Sequence, residues 1–374
     1  MELRRLSKTV LTRLTMSIVL LMGAGFAKAA GSPLANELFD QAPIGGSHER
    51  DNQVNLVQSQ WYEWQKTHSG EGAEAFITHI YYNSAMIPGA GVIWRALQTY
   101  LALRISAAFV RWSFVDGIAN RSSDNFMNAQ VGSSHERWWN TLFRYHRYDQ
   151  PLTVLTTNWD IWIERALRPI PRPRRRRPGF HYGQGPERLA AAPRFPSRWY
   201  VGTDFGKDTT IHGHVTLLKL HGSLSWAVRG GRLEKYGDLR PAFRGDAAII
   251  PPIEQKEFGS WLRPIWKQSE QALKQADRLI VVGYSFPDYD HEIRRLLKRG
   301  ITDKRIDVHI FDHSADLVAK RIRSFLPQTS LIEHGAIPDA CDDLRDVVGS
   351  QASEFQGHHT NQAYYKSGIM PPEY

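Results

Sequence analysis

The chain has 374 residues, of which 42% are hydrophobic and 23% are charged, with one cysteine, Cys341, and a formal net charge of +9. This composition excludes a disordered chain, and the length allows one large α/β domain or two smaller ones. A lone cysteine excludes an intramolecular disulfide and a zinc site built from several cysteines.

Residues 18 to 34, IVLLMGAGFAKAAGSPL, fit two incompatible interpretations. In the first, basic residues precede the apolar run Met16 to Met22, and Ala27-Lys28-Ala29 is the cleavage site of a secretory signal. In the second, Ile18 to Met22 is a buried parallel strand, and Gly23-Ala24-Gly25 is the tight turn after it, where backbone amides hold a phosphate. The run is too short to span a membrane, so we expect no membrane insertion.

The next part of the chain is helical in pattern. Pro33 suits the start of a helix over Leu34 to Asp40, and residues 42 to 54 are rich in Gly, Ser and Asn and predict a loop. Apolar residues then recur at three- and four-residue intervals, for example in Trp94 to Leu101. We therefore expect a helical insertion over residues 51 to 148.

The period changes at Leu152, where strands with polar tips begin. Leu152 to Thr156 is a strand by its β-branched content, and it ends in Thr157-Asn158-Trp159-Asp160 before a helix, Ile161 to Leu167. Val215 to Leu220 is a second strand, which runs into His221-Gly222-Ser223. Polar side chains at the carboxyl ends of parallel strands are where open α/β sheets bind ligands.

Two more strands follow the same rule. Leu279 to Val282 leads into Gly283-Tyr284-Ser285-Phe286, with Asp288 placed to cap the next helix, and Ile306 to Phe311 ends in Asp312 before the helix Ala315 to Phe325. The repetition predicts an α/β fold, a doubly wound parallel Rossmann-like sheet with the helical insertion after its first βα unit. Because that sheet needs a first strand, it favours the strand interpretation of Ile18 to Met22 and a cytoplasmic protein.

The chain is expected to divide into consecutive segments. These are an N-terminal extension (1–17), the first βα unit (18–50), the helical insertion (51–148), the remainder of the sheet domain (149–345, with an irregular Arg-rich insert at 169–215) and a polar tail (346–374). The Arg-rich insert holds Arg172, Arg174, Arg175, Arg176 and Arg177 between prolines. Such a run is usually a solvated loop, but it leaves nucleic acid open as a partner.

Four motifs in chain order carry a resemblance to a known family. Gly23-Ala24-Gly25-Phe26-Ala27, followed by Gly31 and Pro33, is similar to the GAGxS loop of the sirtuins. Thr157-Asn158-Trp159-Asp160 resembles their TQNID segment, and Leu220-His221-Gly222 their catalytic histidine motif. Gly283-Tyr284-Ser285-Phe286 resembles their GTSL segment. The chain looks most like the zinc-free, sirtuin-like NAD hydrolases of bacterial defence systems.

The resemblance implies a role for each of these residues. His221 and Asn158 are the expected catalytic residues, His221 as general base because imidazole titrates near neutrality. The amides of the glycine loop would hold the pyrophosphate of NAD, and Asn158 and Asp160 its nicotinamide-side ribose and amide. Gly283 and Ser285 would receive the adenine-side ribose, and Asp312 is also expected to bind NAD. Asn158 and Asp160 could instead cap the helix that follows them.

Three departures from the family pattern affect the expected activity. Ala27 stands where the family has serine, the four cysteines of the deacetylases' zinc ribbon are absent, and Gly31-Ser32-Pro33-Leu34 replaces the GIPDFR continuation. Hydrolysis of NAD to ADP-ribose and nicotinamide is therefore the first expectation. Protein deacylation and a non-catalytic sensor of NAD or ADP-ribose are the alternatives.

We expect no zinc and no other metal. The two groups that could suggest one, His212 with His214 and His221, and Asp288 with Asp290 and His291, do not match a zinc signature. The sequence leaves open a homo-oligomer and an activating partner protein.

Overall fold

The computed structural model describes twelve parts of the chain. They are residues 16–28, 32–42, 47–114, 152–161, 163, 180–181, 215–236, 239–251, 259–288, 290–301, 304–336 and 341–349. The predicted Arg-rich run, residues 164–167 of the predicted helix after Asp160, and the predicted tail beyond residue 349 lie outside them.

Seven parallel strands form the main sheet, in the spatial order β10-β9-β8-β1-β2-β4-β3. Their bounds are β1 Ile18–Met22, β2 Leu152–Thr156, β3 Phe180–His181, β4 Val215–Lys219, β8 Arg278–Val282, β9 Asp307–Phe311 and β10 Ser330–His334. Without the two-residue β3, the strands numbered in chain order lie as 3-2-1-4-5-6, the arrangement of the doubly wound Rossmann fold. The predicted fold class is confirmed.

Strand β1 is the centre of this sheet. It pairs in parallel with β2, where Ile18 lies opposite Leu152, and with β8, where Ile18 lies opposite Arg278. All five of its side chains are fully buried. A strand covered on both faces must be apolar throughout, which is why IVLLM shows no alternation. The strand interpretation of Ile18 to Met22 is confirmed, and the short helix α1, Ala24–Lys28, follows it.

Amphipathic helices connect the later strands and follow the last of them. They are α6 Arg263–Gln275, α7 His291–Ile301, α8 Ala315–Phe325 and α9 Cys341–Gly349. The predicted bounds of α8 are confirmed, and α7 buries Ile293, Leu296 and Leu297. Helix α9 was not predicted; its buried Val347 and Val348 lie past residue 346, where we place the start of the tail. The segment boundaries otherwise stay predictions.

A second layer lies between β1 and β2 in the chain. It consists of α2 His48–Thr67, α3 Ala73–Met86 and α4 Ala90–Phe114, which we call the helical layer. Helix α2 begins inside the predicted loop 42–54, because the Ser47 hydroxyl accepts a hydrogen bond from the Arg50 amide (3.4 Å) and caps it. The predicted helix over Leu34 to Asp40 is only a 3₁₀ turn, Ala35–Glu37.

The helical layer packs against a small antiparallel sheet that sequence patterns did not predict. Its strands are β5 Gly222–Arg229, β6 Arg232–Lys235 and β7 Ala247–Ile249, in the order β6-β5-β7, and the one-turn helix α5, Arg240–Phe243, precedes β7. The apolar side chains of these elements form a second hydrophobic core. Stacked rings of Phe39, Trp61 and Tyr100 lie within it. Burial raises the pKa of Tyr100 to about 12, so its hydroxyl stays protonated and can donate a hydrogen bond.

Within the described parts of the chain, no helix combines the length and apolar character needed to cross a membrane.

Candidate functional site

A cavity of about 840 Å³ opens at the carboxyl ends of the central strands. It lies where the strand order reverses, between β1 and β8, which is the usual ligand position in a doubly wound sheet. Its volume falls within the range of about 300–1,000 Å³ found for small-molecule and cofactor sites. The predicted site residues that line it are Ala24, Gly25, Phe26, Ala27, Asn158, Asp160, His221, Gly283, Ser285 and Asp312.

The glycine loop after β1 packs directly on the backbone after β8. The Gly23 amide donates to Val282 O (3.0 Å) and the Gly25 amide to Gly283 O (2.9 Å). Gly283 has a φ of +57°, and a Cβ there would overlap Phe26 N and lie 2.6 Å from the Gly25 carbonyl carbon. Only glycine allows this approach, so the two predicted motifs meet at the floor of the cavity.

Two of the amides expected to hold a pyrophosphate have partners inside the protein. The Gly25 amide donates to Gly283 O, and the Phe26 amide donates to Gly23 O (3.1 Å). A phosphate bound here would therefore be held largely by other donors, or would share these two amides.

Two cations that sequence reasoning missed line the same cavity, Lys28 and Arg321. The Lys28 ammonium pairs with Glu37 (2.5 Å), which lowers the pKa of the Glu37 carboxyl, and Arg321 Nη1 donates to Ser285 O (2.6 Å). Lys28 lies in the ambiguous signal-like stretch, and Arg321 reads from the sequence as an ordinary exposed residue of α8.

Asn158 connects the end of β2 to the glycine loop. Its side-chain amide donates to Gly23 O (3.1 Å), and its backbone amide donates to Thr156 Oγ1 (3.1 Å). The residue is 9% exposed, so its orientation is fixed by these bonds. Because the NH₂ group donates to Gly23 O, the Asn158 amide oxygen is the atom that can accept a hydrogen bond from a ligand.

Asp160 is held in place by a buried lysine. Lys219, the last residue of β4, is fully buried, and its ammonium group donates to the Asp160 carbonyl. A buried ammonium group is costly unless it is hydrogen-bonded, so this contact fixes the segment from Asn158 to Asp160 against β4. No local pattern predicts this contact, because a lysine at a strand end usually faces water.

His221 lies in the tight turn between β4 and β5 and is 3% exposed. The preceding Leu220 amide donates to Thr156 O (2.8 Å), and the His221 carbonyl accepts from the Ile250 amide (2.9 Å). Gly222 has a φ of +77°, and a Cβ there would overlap the Ala248 carbonyl oxygen. The backbone on both sides of His221 is therefore fixed, and its side chain lines the cavity.

A carboxylate that the sequence did not assign faces His221. Asp290 Oδ1 lies 3.6 Å from His221 Nε2, and the Tyr284 hydroxyl donates to Asp290 Oδ2 (2.5 Å). All three side chains are buried and line the cavity.

The turn that carries Tyr284 is strained. Phe286 has a φ of +52°, in the left-handed region that bulky side chains rarely adopt. It is held there by full burial against Phe325 and by Arg294 Nη2, which donates to Phe286 O (2.8 Å). Asp288, predicted as a helix cap, is exposed and pairs with Arg294 (2.7 Å), and the hydrogen bond from Arg294 lowers its pKa.

Residues from β9 and from the helical layer also line the cavity. Asp312, half-buried at the end of β9, accepts a hydrogen bond from the Ser314 amide (2.9 Å) and so directs the turn into α8. The helical layer contributes Glu74, Ile77 and Ile105 to the wall. Among the described residues, no group of three or more His, Cys, Asp or Glu side chains could hold a metal ion.

No protein-family model and no curated protein matches the chain. Solved structures with similar coordinates include a Sir2 homologue in complex with NAD, at 15% identity and a TM-score of 0.40, covering 90% of this chain and 91% of that one. A mutant Sir2 homologue with ADP-ribose matches at 15% identity and a TM-score of 0.38, covering 91% and 94%. A Sir2 complex with a p53 peptide and NAD⁺ matches at 12% and 0.38, covering 93% and 98%.

Proposed function

We propose that this chain is a sirtuin-like enzyme that consumes NAD, hydrolysing it to ADP-ribose and nicotinamide. One observation carries the proposal: the glycine loop, Asn158, Asp160 and His221, which lie far apart in the sequence, line a single cavity at the switch point of a Rossmann sheet. NAD would lie across this switch point as the substrate.

The reaction breaks the bond between the nicotinamide nitrogen and C1′ of the ribose. The electron pair of that bond leaves with nicotinamide, positive charge develops on the sugar, and the oxygen of a water molecule forms the new bond to C1′. His221 takes the proton that this water loses and passes it to solvent, so one proton is released per turnover. The burial of His221 limits the competing water around it.

The charges around the cavity suit this transition state. Asp160 is a buried carboxylate, 6% exposed, that lines the cavity together with His221. Fixed negative groups where positive charge develops lower the barrier, because they need no reorganisation during the reaction. Lys28 and Arg321 would attract the diphosphate, and the Asn158 amide oxygen would accept a hydrogen bond from a ribose hydroxyl or the attacking water.

Features of the sequence and of the cavity wall favour hydrolysis over deacylation. The chain has one cysteine, so a four-cysteine zinc ribbon of the deacetylase type cannot form. The helical layer supplies Glu74, Ile77 and Ile105 to the cavity wall. Water needs no peptide-binding groove to reach C1′, whereas an acylated lysine does.

The experiment is nicotinamide release from NAD by purified protein, beside His221→Ala and Asn158→Ala. We expect each variant to lose about 10²-fold or more of the rate, because each lacks a group that acts on the reacting atoms. Matched controls are His48→Ala and Asn55→Ala, two exposed residues of α2, which should leave the rate unchanged.

The outcomes separate the candidate functions. Nicotinamide release that both variants lose supports the hydrolase. NAD binding measured by calorimetry without any release would support the sensor instead. Release that requires an acetylated peptide would identify a deacylase, and the absence of both release and binding would contradict an NAD site.

A further inference from the structure

The contact between Asp290 and His221 joins two distant parts of the chain. Asp290 directly precedes α7, whereas His221 lies between β4 and β5. The carboxylate is 2% exposed, with one oxygen 3.6 Å from His221 Nε2 and the other accepting from the Tyr284 hydroxyl. The three side chains form a row in which Asp290 is the middle member.

A carboxylate buried to this degree is stable only if its surroundings compensate the charge. The Tyr284 hydroxyl supplies one hydrogen bond to Oδ2. The other oxygen, Oδ1, faces His221 Nε2. A proton on Nε2 is attracted to this oxygen, whereas a lone pair on Nε2 would be repelled by the negative charge of the carboxylate. The 3.6 Å separation exceeds a hydrogen bond, so the attraction here is electrostatic, and such contacts often tighten when a substrate binds.

We propose that Asp290 is a positioning residue for His221, and that Tyr284 fixes Asp290 for this task. This inference rests on the proposed NAD-consuming function. The carboxylate holds the proton of neutral His221 on Nε2, which leaves Nδ1 with the lone pair that accepts a proton. When Nδ1 takes the proton from the attacking water, the ring becomes an imidazolium. Asp290 remains ionised and stabilises that charge until the proton passes to solvent.

The strained turn explains why Tyr284 points at Asp290. Gly283 and Phe286 both have positive φ, and the Tyr284 ring packs at its edge against the ring of Phe286 (4.7 Å between centroids). This packing holds the Tyr284 hydroxyl inside the protein, where it reaches Asp290. Tyr284 therefore contributes to the site through its hydroxyl, a role that the resemblance assigned to no residue of this segment.

The first test is kinetic, with Asp290→Asn, Tyr284→Phe and the double variant Asp290→Asn/His221→Ala. We expect Asp290→Asn to lower kcat for nicotinamide release by about 10- to 100-fold, the range found when a partner that orients a metal-ligating histidine is lost, with KM for NAD unchanged. Tyr284→Phe should lower kcat less, by several-fold. In the double variant, kcat should equal that of His221→Ala alone, because Asp290 acts only through His221.

The controls are Asp316→Asn and Tyr62→Phe, two exposed residues that are not among those lining the cavity. A rise in KM with kcat unchanged would overturn the proposal, since it would mean that Asp290 contacts NAD directly. A further loss of rate in the double variant beyond that of His221→Ala would overturn it too, because it would indicate a general structural defect.

The second test does not depend on turnover. In protein with ¹⁵N-labelled histidine, the His221 ring signals are identified by their absence in His221→Ala. We expect the proton on Nε2 in the natural chain and a changed proton distribution in Asp290→Asn. Unchanged His221 signals in Asp290→Asn would overturn the positioning role. A chain that releases no nicotinamide but shows the expected shift would contradict the proposed function and leave the role of Asp290 supported.

Discussion

The two layers of this protein differ in how their sequences encode them. In the parallel sheet, each strand is a short apolar run that ends in polar or glycine residues, and those ends form the floor of the cavity. In the helical layer, long helices bury a broad set of aromatic and aliphatic side chains, and among its described side chains Glu74, Ile77 and Ile105 reach the cavity. The ends of the sheet strands therefore supply the predicted site residues, and the helical layer supplies part of the cavity wall.

The largest expected effect tests whether the two layers fold as one unit. Leu20 of β1 and Leu101 of α4 are both fully buried, each in one of the two hydrophobic cores. Leu20→Ala and Leu101→Ala should each lower the free energy of unfolding by about 2–5 kcal/mol, because each leaves a cavity in a packed core. Denaturant unfolding followed by tryptophan fluorescence and by circular dichroism should show one shared transition for each variant. Two separate transitions in Leu101→Ala would show that the layers unfold independently.

Two glycines test whether contact between the glycine segments stabilises the sheet layer. Gly283 and Gly230 have nearly the same φ, +57° and +55°, but a Cβ at Gly283 would overlap the glycine loop, whereas one at Gly230 would meet no atom within 4 Å. Gly230→Ala should therefore cost only the left-handed strain, about 1–2 kcal/mol. Gly283→Ala adds about 1–3 kcal/mol of overlap and should also displace the loop that forms the cavity floor.

The measurement for this pair is thermal unfolding together with NAD binding by calorimetry. Gly230→Ala is expected to lower Tm modestly with binding intact, and Gly283→Ala to lower Tm further and weaken binding. Equal losses in the two variants would show that backbone strain, and not contact between the two glycine segments, decides stability at Gly283.

The smallest expected effect concerns the wall that the helical layer provides. Glu74 is half-buried at the start of α3 and lines the cavity. NAD carries more negative than positive charge, so Glu74→Gln should lower KM by about 1.4- to 5-fold, since a half-exposed charge contributes about 0.2–1 kcal/mol. Glu63→Gln, at an exposed position of α2, is the control. An unchanged KM in Glu74→Gln would mean that this wall does not face the bound dinucleotide.

The parts predicted correctly are those with a strong local pattern. The central strands and α8 lie at or within one residue of the predicted bounds, because a fully apolar run with a polar or glycine end has few alternatives. The three-stranded antiparallel sheet was not predicted. Its middle strand, β5, begins at Gly222 directly after His221, and the residues His221-Gly222-Ser223 are typical of a turn. The loop prediction over 42 to 54 was wrong. The first residues of α2 are polar and resemble a loop in composition, and the one sign of the helix start is its N-cap, Ser47.

The sequence by itself determined which short apolar runs form the central strands, the glycine residues that follow β1 and β8, and the asparagine and histidine that follow β2 and β4, since each of these follows from residues adjacent in the chain. Only the tertiary structure decided that Asp290 faces His221, that Lys219 holds Asp160, and that Glu74 lies on the cavity wall. Contacts between residues so far apart in the chain leave no local period or spacing, because their partners are chosen by how strands and helices pack in space.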